Sequence, residues 1–157
     1  MTEINKKTKK AYVPASVKVG RSSAGLGLFA LESIKRGDFI IEYVGKKISH
    51  KEAEDHTGKY LFEINNKWTI DGADRKNIAR YINHSCKPNC ETEIRNGRIL
   101  IFAIKNIPVG EELHYDYGED YFDTFIKPHG CRCFKCNGKK IVVPNEKVVG
   151  VSKSKAK

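Results

Sequence analysis

Missing from these 157 residues is any apolar run approaching the roughly 18 needed to cross a bilayer as a helix, so no transmembrane helix is expected. The opening segment, Met1 to Lys10, has lysines but no apolar stretch behind them, so a secretory signal is not expected either. No internal repeat with a period of about 20–50 residues is visible, which excludes solenoids and propellers. Helix-period patterning is scarce. Cysteines number five, an odd count that argues against a disulfide framework. Free or metal-bound thiols in a reducing intracellular compartment, cytoplasm or nucleus, are expected instead. With 39% hydrophobic and 31% charged residues, the composition is that of a globular domain able to bury a core.

The net charge of +10 suggests a nucleic-acid binder until its distribution is considered. The excess sits at the ends: residues 1–20 carry a net +4 and residues 126–157 a net +8, leaving 21–125 at −2. The acids of that body gather late, at Glu111, Glu112, Asp116, Glu119, Asp120 and Asp123. Such a region attracts a Lys/Arg-rich partner and repels a phosphate backbone, although a merely solvated acidic face gives the same pattern. Nucleic-acid contact is left to the basic ends, for which plain solubility is the simpler reading.

Between the ends the pattern is of short strands: Ser16–Val19, Leu28–Leu31, Phe39–Val44, Tyr60–Ile64, Trp68–Ile70, Glu91–Arg95 and Arg98–Ile104. Asn96-Gly97 predicts a two-residue hairpin, because both residues tolerate positive φ. The run Ile99 to Ile104 is apolar on both faces and predicts a strand buried on both sides. One short helix is expected over Ser49–His56, with Ser49 as N-cap and Glu52 completing a capping box.

Four segments carry candidate chemistry. Gly25-Leu-Gly-Leu-Phe-Ala30 matches the dinucleotide pattern G-x-G-x-x-[G/A], but no crossover helix follows it. A glycine pair in a strand-to-strand turn is the plainer reading, and two glycines still allow a ligand close to the backbone. Asn83-His-Ser-Cys-Lys-Pro-Asn-Cys90 reads equally as a hydrogen-bonded turn or as a polar site. Cys131-Arg-Cys-Phe-Lys-Cys136 supplies three thiols, and tetrahedral zinc asks for a fourth, which either Cys86 or Cys90 provides. Gly110-Glu-Glu-Leu-His-Tyr-Asp-Tyr-Gly118 puts Tyr115 and Tyr117 on one face of an extended strand.

In this order, from about Val17 to Gly138, the segments resemble the SET-domain protein lysine methyltransferases. The resemblance implies a mostly β fold: a β-clip of small antiparallel sheets with a C-terminal pseudoknot at which Asn83–Cys86 and Tyr115–Tyr117 meet, few short helices and a zinc-binding post-SET tail. It implies a basic flexible segment at 1–15, a SET domain at 16–125, the post-SET segment at 126–140 and a basic tail at 141–157. It implies S-adenosylmethionine as cofactor, held at Gly25, Leu26, Gly27, Tyr60, Arg80, Asn83, His84 and Tyr117. By the same likeness Tyr117 is the catalytic tyrosine and Tyr115 governs how many methyl groups are added. Cys86, Cys131, Cys133 and Cys136 would hold zinc. The tail spacing C-x-C-x2-C is shorter than the family's common C-x-C-x4-C. The insert between Ile48 and Tyr60 lacks the additional tyrosine many relatives place in the lysine channel.

The function expected is S-adenosylmethionine-dependent N-methylation of lysine in a histone-like or other basic protein. A tyrosine at 115, where phenylalanine would leave more room, implies mainly monomethylation. The competing reading is a non-enzymatic zinc module that binds chromatin or nucleic acid through its basic ends.

Overall fold

Alternation of apolar and polar residues, broken every few residues by Gly, Asn or Pro, favours short strands over helices. A computed structural model, describing residues 12–133 and Cys136, places ten of them. The basic segment expected at 1–15 enters this description only from Tyr12, and the tail expected at 141–157 lies outside it. β1 (Val17–Ser22) and β2 (Gly25–Ala30) form an antiparallel hairpin in continuous register from Val17 opposite Ala30 to Ser22 opposite Gly25. The glycine pair therefore opens β2 itself, one step beyond the turn expected there. No helix follows it, which removes the dinucleotide reading.

β3 (Phe39–Tyr43) leads into β4 (Lys46–Ser49), α1 (His50–Glu54), β5 (Leu61–Glu63) and β6 (Trp68–Asp71). The order β4-β6-β5 makes a small antiparallel sheet. α1 starts where the capping signal predicts: Ser49 Oγ accepts from the Glu52 amide, and the Glu52 carboxylate accepts from the Ser49 amide at 2.8 Å. Next come β7 (Asn83–His84), β8 (Cys90–Arg95), β9 (Arg98–Ala103), β10 (His114–Tyr115) and α2 (Glu119–Tyr121). A single 3-10 turn, Ile78–Tyr81, precedes β7.

β9 is the centre of the sheet β3-β9-β8, and Ile99 and Ile101 are fully buried while Leu100 is 1% exposed. Burial on both faces was the expectation for this run, and each such side chain contributes about 1.5–3 kcal/mol. The β8–β9 hairpin turns on Asn96 (φ 51°) and Gly97 (φ 73°), the paired positive φ of a type I′ turn.

Two features could not be read from the local pattern. Helical structure continues beyond Gly118 through α2, a π-helical turn at Phe122–Ile126 and a 3-10 turn at Lys127–His129. Its buried residues, Tyr121 and Ile126, lie on too short a segment to give a legible helical period. The other is a parallel pair, β10 beside β7, among otherwise antiparallel sheets. It joins residues 31 positions apart and decides where the functional site lies.

Candidate functional site

The site is assembled by the β7–β10 pair. His114 lies opposite Asn83 and Tyr115 opposite His84, and the Ser85 amide donates to the Tyr115 carbonyl at 3.2 Å. Past the end of β10 the Tyr117 amide donates to His84 Nδ1 at 3.1 Å, and the Tyr117 hydroxyl donates to the Ile82 carbonyl. The first bond requires Nδ1 to be the acceptor, so His84 is a neutral Nε2–H imidazole. Nε2 is 3.4 Å from Cys86 Sγ. The loop at 83–86 and the tyrosine strand at 115–117, brought together by likeness alone in the sequence, are in direct contact.

Tyr117 is 6% exposed and ringed by aromatic neighbours: Tyr115 and Tyr121 at 5.1 Å and His84 at 5.4 Å between ring centres. Burial, then the nearby Tyr121 and Tyr43 phenols, push its hydroxyl well above the ordinary tyrosine range. Tyr117 is thus a neutral phenol that donates and accepts, and it is no base at neutral pH. Tyr43 is held above its ordinary value by burial and by Asp71, and its hydroxyl donates to the Tyr60 carbonyl at 2.7 Å. Tyr43 and Tyr121 belong to this aromatic group but were missed in the sequence. Neither stands in a motif, and only the fold brings them to Tyr117.

A cleft open to solvent lies beside Tyr117 and is lined by Ser22, Asn83, His84, His114, Cys131 and Cys133 among others. Asn83 projects its carboxamide NH₂ away from solvent, donating to the Leu26 carbonyl at 2.9 Å and to Glu112 Oε1 at 2.8 Å. Gly25 sits at φ 101°, a conformation glycine adopts freely. Gly27 has a different reason for being glycine: a Cβ there would fall 2.3 Å from Glu112 Oε1. The close approach expected of Gly27 is therefore to a carboxylate of the chain itself. Ser22 to Ala24, Asn83 and the His84 ring form the polar side of this cleft, opposite the apolar Tyr117 and Ile126.

Of the residues expected at the cofactor, Asn83, His84 and Tyr117 line this cleft, and Gly25, Leu26, Gly27, Tyr60 and Arg80 do not. The Arg80 guanidinium stacks 4.3 Å from the Tyr60 ring and 5.0 Å from Tyr81, and Nη1 donates to the Ala73 carbonyl. Arg80 Nε is buried without a hydrogen-bond partner among the described residues.

Cys131 and Cys133 close the cleft on one side and belong to a second constellation. The Sγ atoms of Cys86, Cys131, Cys133 and Cys136 lie within 4.8 Å of one another. Cys86 is 3.8 Å from Cys131 and 3.7 Å from Cys136, Sγ to Sγ. Four thiolates about 2.3 Å from a tetrahedral zinc stand about 3.8 Å apart, so spacing and donor chemistry fit that ion. The shortened C-x-C-x2-C spacing does not prevent the four sulfurs from converging. Burial raises the Cys133 thiol, but hydrogen bonds from the Cys86 and Cys136 amides and neighbouring thiols outweigh it and bring it down to about 6. Burial and the Cys136 thiol push Cys86 up to about 12, and burial also raises Cys131. Thiolates rather than thiols ligate zinc, so a divalent ion bound here would displace the thiol protons. Cys90, the other candidate fourth ligand, is 1% exposed and donates to Asn89 Oδ1, away from this cluster.

The acidic bunch divides in two. Asp116, Glu119, Asp120 and Asp123 are exposed, whereas Glu112 is turned inward. Burial would raise the Glu112 carboxyl, but hydrogen bonds from His114, Asn83 and Ser22 prevail and hold it below its ordinary value.

Comparison with known proteins agrees with this geometry. The SET domain family model matches residues 25–118. Histone-lysine N-methyltransferase 2D of Homo sapiens is 39% identical over 125 residues, covering 71% of this chain and 2% of that protein. Histone-lysine N-methyltransferase ASHH1 of Arabidopsis thaliana is 37% identical over 147 residues, covering 85% of this chain and 30% of that protein. The chain thus spans less than a third of the length of either relative. Among solved structures, Polycomb Repressive Complex 2 of Chaetomium thermophilum, in an autoinhibited conformation bound to S-adenosylmethionine, superposes with a TM-score of 0.61 at 37% identity. That alignment covers 68% of this chain and 15% of the matched one. The same complex with H3K27me3 and H3K27M gives 0.63 at 36% identity, over 69% and 15%. With its glycine-opened hairpin, its Asn-His loop against a tyrosine strand and its family match over residues 25–118, this chain belongs to the SET domain family.

Proposed function

We propose that this chain is a protein-lysine N-methyltransferase that uses S-adenosylmethionine, acts on histone-like or other Lys/Arg-rich proteins, and adds mainly one methyl group. The observation that carries the proposal is the contact of Asn83-His84 with Tyr115 to Tyr117, which sets an aromatic, proton-holding wall beside a polar cleft. S-adenosylmethionine, when bound, supplies an electrophilic methyl group on a positively charged sulfur. Transfer to an amine is an in-line displacement, so alignment at near-attack distance is what the protein must provide.

The residues fit that task. The Tyr117 hydroxyl donates its one hydrogen bond to the Ile82 carbonyl, which leaves its lone pairs for a neighbouring donor such as a lysine amine. Its high pKa keeps it from ionising and from accepting a proton outright. The buried phenols around it supply little solvation for an ammonium, favouring the neutral amine that displacement needs. Asn83 and His84 are anchored by Leu26, Glu112 and the Tyr117 amide, so the polar side of the cleft is set before any ligand arrives. The Tyr115 ring, 2% exposed and 5.1 Å from Tyr117, leaves little space beside the amine for added methyl groups. Cys86, Cys131, Cys133 and Cys136 would take zinc and so tie the cleft wall to β7. The exposed Asp116, Glu119, Asp120 and Asp123 beside it suit a basic peptide.

Support from relatives is of one kind: the proteins named above are histone-lysine N-methyltransferases. The test is incubation of the full chain with methyl-labelled S-adenosylmethionine and core histones, followed by mass-spectrometric mapping. Methyl-lysine, mainly mono, is expected. No labelling of any basic protein, with no heat on titrating the cofactor into zinc-loaded protein, would leave the non-enzymatic zinc module as the better account.

A further inference from the structure

β3 is an edge strand, and its Phe39 stands opposite Phe102 of β9, so the two rings leave the sheet on one face. The chain before β1 crosses them. The Ala15 amide donates to the Ile40 carbonyl at 2.8 Å, and the Tyr12 ring packs 4.9 Å from Phe39 and 6.1 Å from Phe102. The three rings are inclined to one another by 51°, 82° and 67°, so they make a corner rather than a stack. A cavity of about 350 Å³ lies against that corner, and Glu32 and Asp38 also line it. Each carboxylate is placed by one backbone amide, Ser16 to Glu32 at 3.1 Å and Lys35 to Asp38 at 3.2 Å, and neither forms an ion pair among the described residues. Lys35 and Arg36 stand in the same turn but do not line the cavity. Arg95 and Arg98 approach the Phe102 and Tyr12 rings at 4.8 and 5.9 Å and do not line it either. No residue lines both this cavity and the cleft beside Tyr117.

We propose that this cavity is a second binding site, for a monomethyl-lysine side chain of a basic protein. Aromatic faces attract a cation, and an alkylated ammonium is more weakly hydrated than a bare one, so it leaves water at lower cost. The two carboxylates add charge complementarity and accept hydrogen bonds. A monomethyl ammonium keeps two N–H donors for them, whereas a trimethyl cation has none. The bare ammonium has three donors but the heaviest hydration. The cavity therefore selects the low methylation state that satisfies rings and carboxylates together. The choice of monomethyl-lysine rests on the activity proposed above, of which it is the product; the preference of the cavity for an alkylated cation does not. A chain that holds its own product at a site apart from the cleft stays on a basic protein between transfers.

The test is titration of the isotope-labelled, zinc-loaded full chain with a histone-tail peptide bearing one lysine in unmethylated, monomethyl or trimethyl form, followed by two-dimensional NMR. Signals of residues 12–15, 32–39 and 102 are expected to shift, and the monomethyl peptide should bind at least about threefold more tightly than the other two. Tyr12→Ala should weaken it about two- to fivefold, the worth of one exposed cation–aromatic contact, and Tyr12→Phe, which keeps the ring, by less than about twofold. Glu32→Gln combined with Asp38→Asn removes both charges but keeps an acceptor for the Ser16 and Lys35 amides, and should weaken the same peptide about two- to fivefold. Equal affinity for the three peptides, shifts confined to residues of the cleft, or indifference to Tyr12→Ala and to the charge variant overturns the inference. A chain that methylates histones yet shows no binding here loses the cavity site and keeps the activity. Binding here by a chain without transferase activity supports the site and overturns the activity.

Discussion

Removing the Tyr117 hydroxyl separates what that group does for catalysis from what it does for the fold. Tyr117→Phe keeps the ring among Tyr115, Tyr121 and His84, and deletes one donor whose acceptor is the Ile82 carbonyl. Ile82 is itself 1% exposed, so the carbonyl is left in a dry place, at a cost of about 1–3 kcal/mol. In a chain of 157 residues that lowers the melting midpoint by about 2–10 °C. With a typical stability of about 5–15 kcal/mol, nearly all molecules remain folded at 25 °C. Folding loss therefore accounts for almost none of any change in rate.

The catalytic effect is of another size. Loss of one preorganised hydroxyl that orients the reacting amine should cost about 100- to 1000-fold in single-turnover rate. Cofactor affinity should move by less than about threefold, because Asn83 and His84 keep their remaining anchors at Leu26 and Glu112. Thermal unfolding, calorimetry with S-adenosylmethionine and a single-turnover methylation assay on histones give the three numbers. A variant that melts earlier and binds cofactor normally, yet methylates at the full rate, would refute the reasoning. Tyr117 would then be a core residue and the amine would be held elsewhere.

Tyr115→Phe removes a hydroxyl from a 2% exposed ring and should shift products from mono- towards dimethyl-lysine, read by mass spectrometry; a trimethylated product from the unaltered protein would contradict the assignment. Cys86→Ser should abolish stoichiometric zinc in elemental analysis and weaken cofactor binding, because Cys131 and Cys133 line the cleft, whereas Cys90→Ala should leave zinc content unchanged. Zinc retained in full by Cys86→Ser would place the ion elsewhere. The Glu112 carboxyl lies below its ordinary 4.5 in the folded chain, so the stability it contributes is fully present above pH 4.5 and is lost as pH falls through the lower folded value. The stability difference between the unaltered chain and Glu112→Gln, measured in urea, should accordingly shrink below pH 4.5, and a difference that grows there would reverse the sign of the argument.

Local rules made parts of this chain legible. The Asn96-Gly97 turn, the Ser49 capping box and the doubly buried Ile99 to Ala103 depend on neighbours within a few residues, so their physics is written in adjacent letters. The parallel pairing of His114-Tyr115 with Asn83-His84 is not local, and no periodicity marks a two-residue strand. Only likeness to a known family anticipated that contact. Tyr60 and Arg80 illustrate the limit of local reading: the Arg80 guanidinium stacks on the Tyr60 ring, a contact that no motif marks. Gly27 and Glu112 illustrate it from the other side. Each stands inside a recognisable motif, but their relation is that one omits a side chain where the other places a carboxylate. A residue's reason for being glycine can thus lie eighty-five positions away, in a carboxylate that its own neighbours Asn83, His114 and Ser22 hold in place. If that is so, Gly27→Ala and Glu112→Gln disturb the same interaction by different routes. The alanine methyl must push the Glu112 carboxylate off Asn83, so Gly27→Ala should weaken cofactor binding in calorimetry more than Glu112→Gln, whose amide oxygen still accepts from Asn83; equal losses from the two would refute that reading.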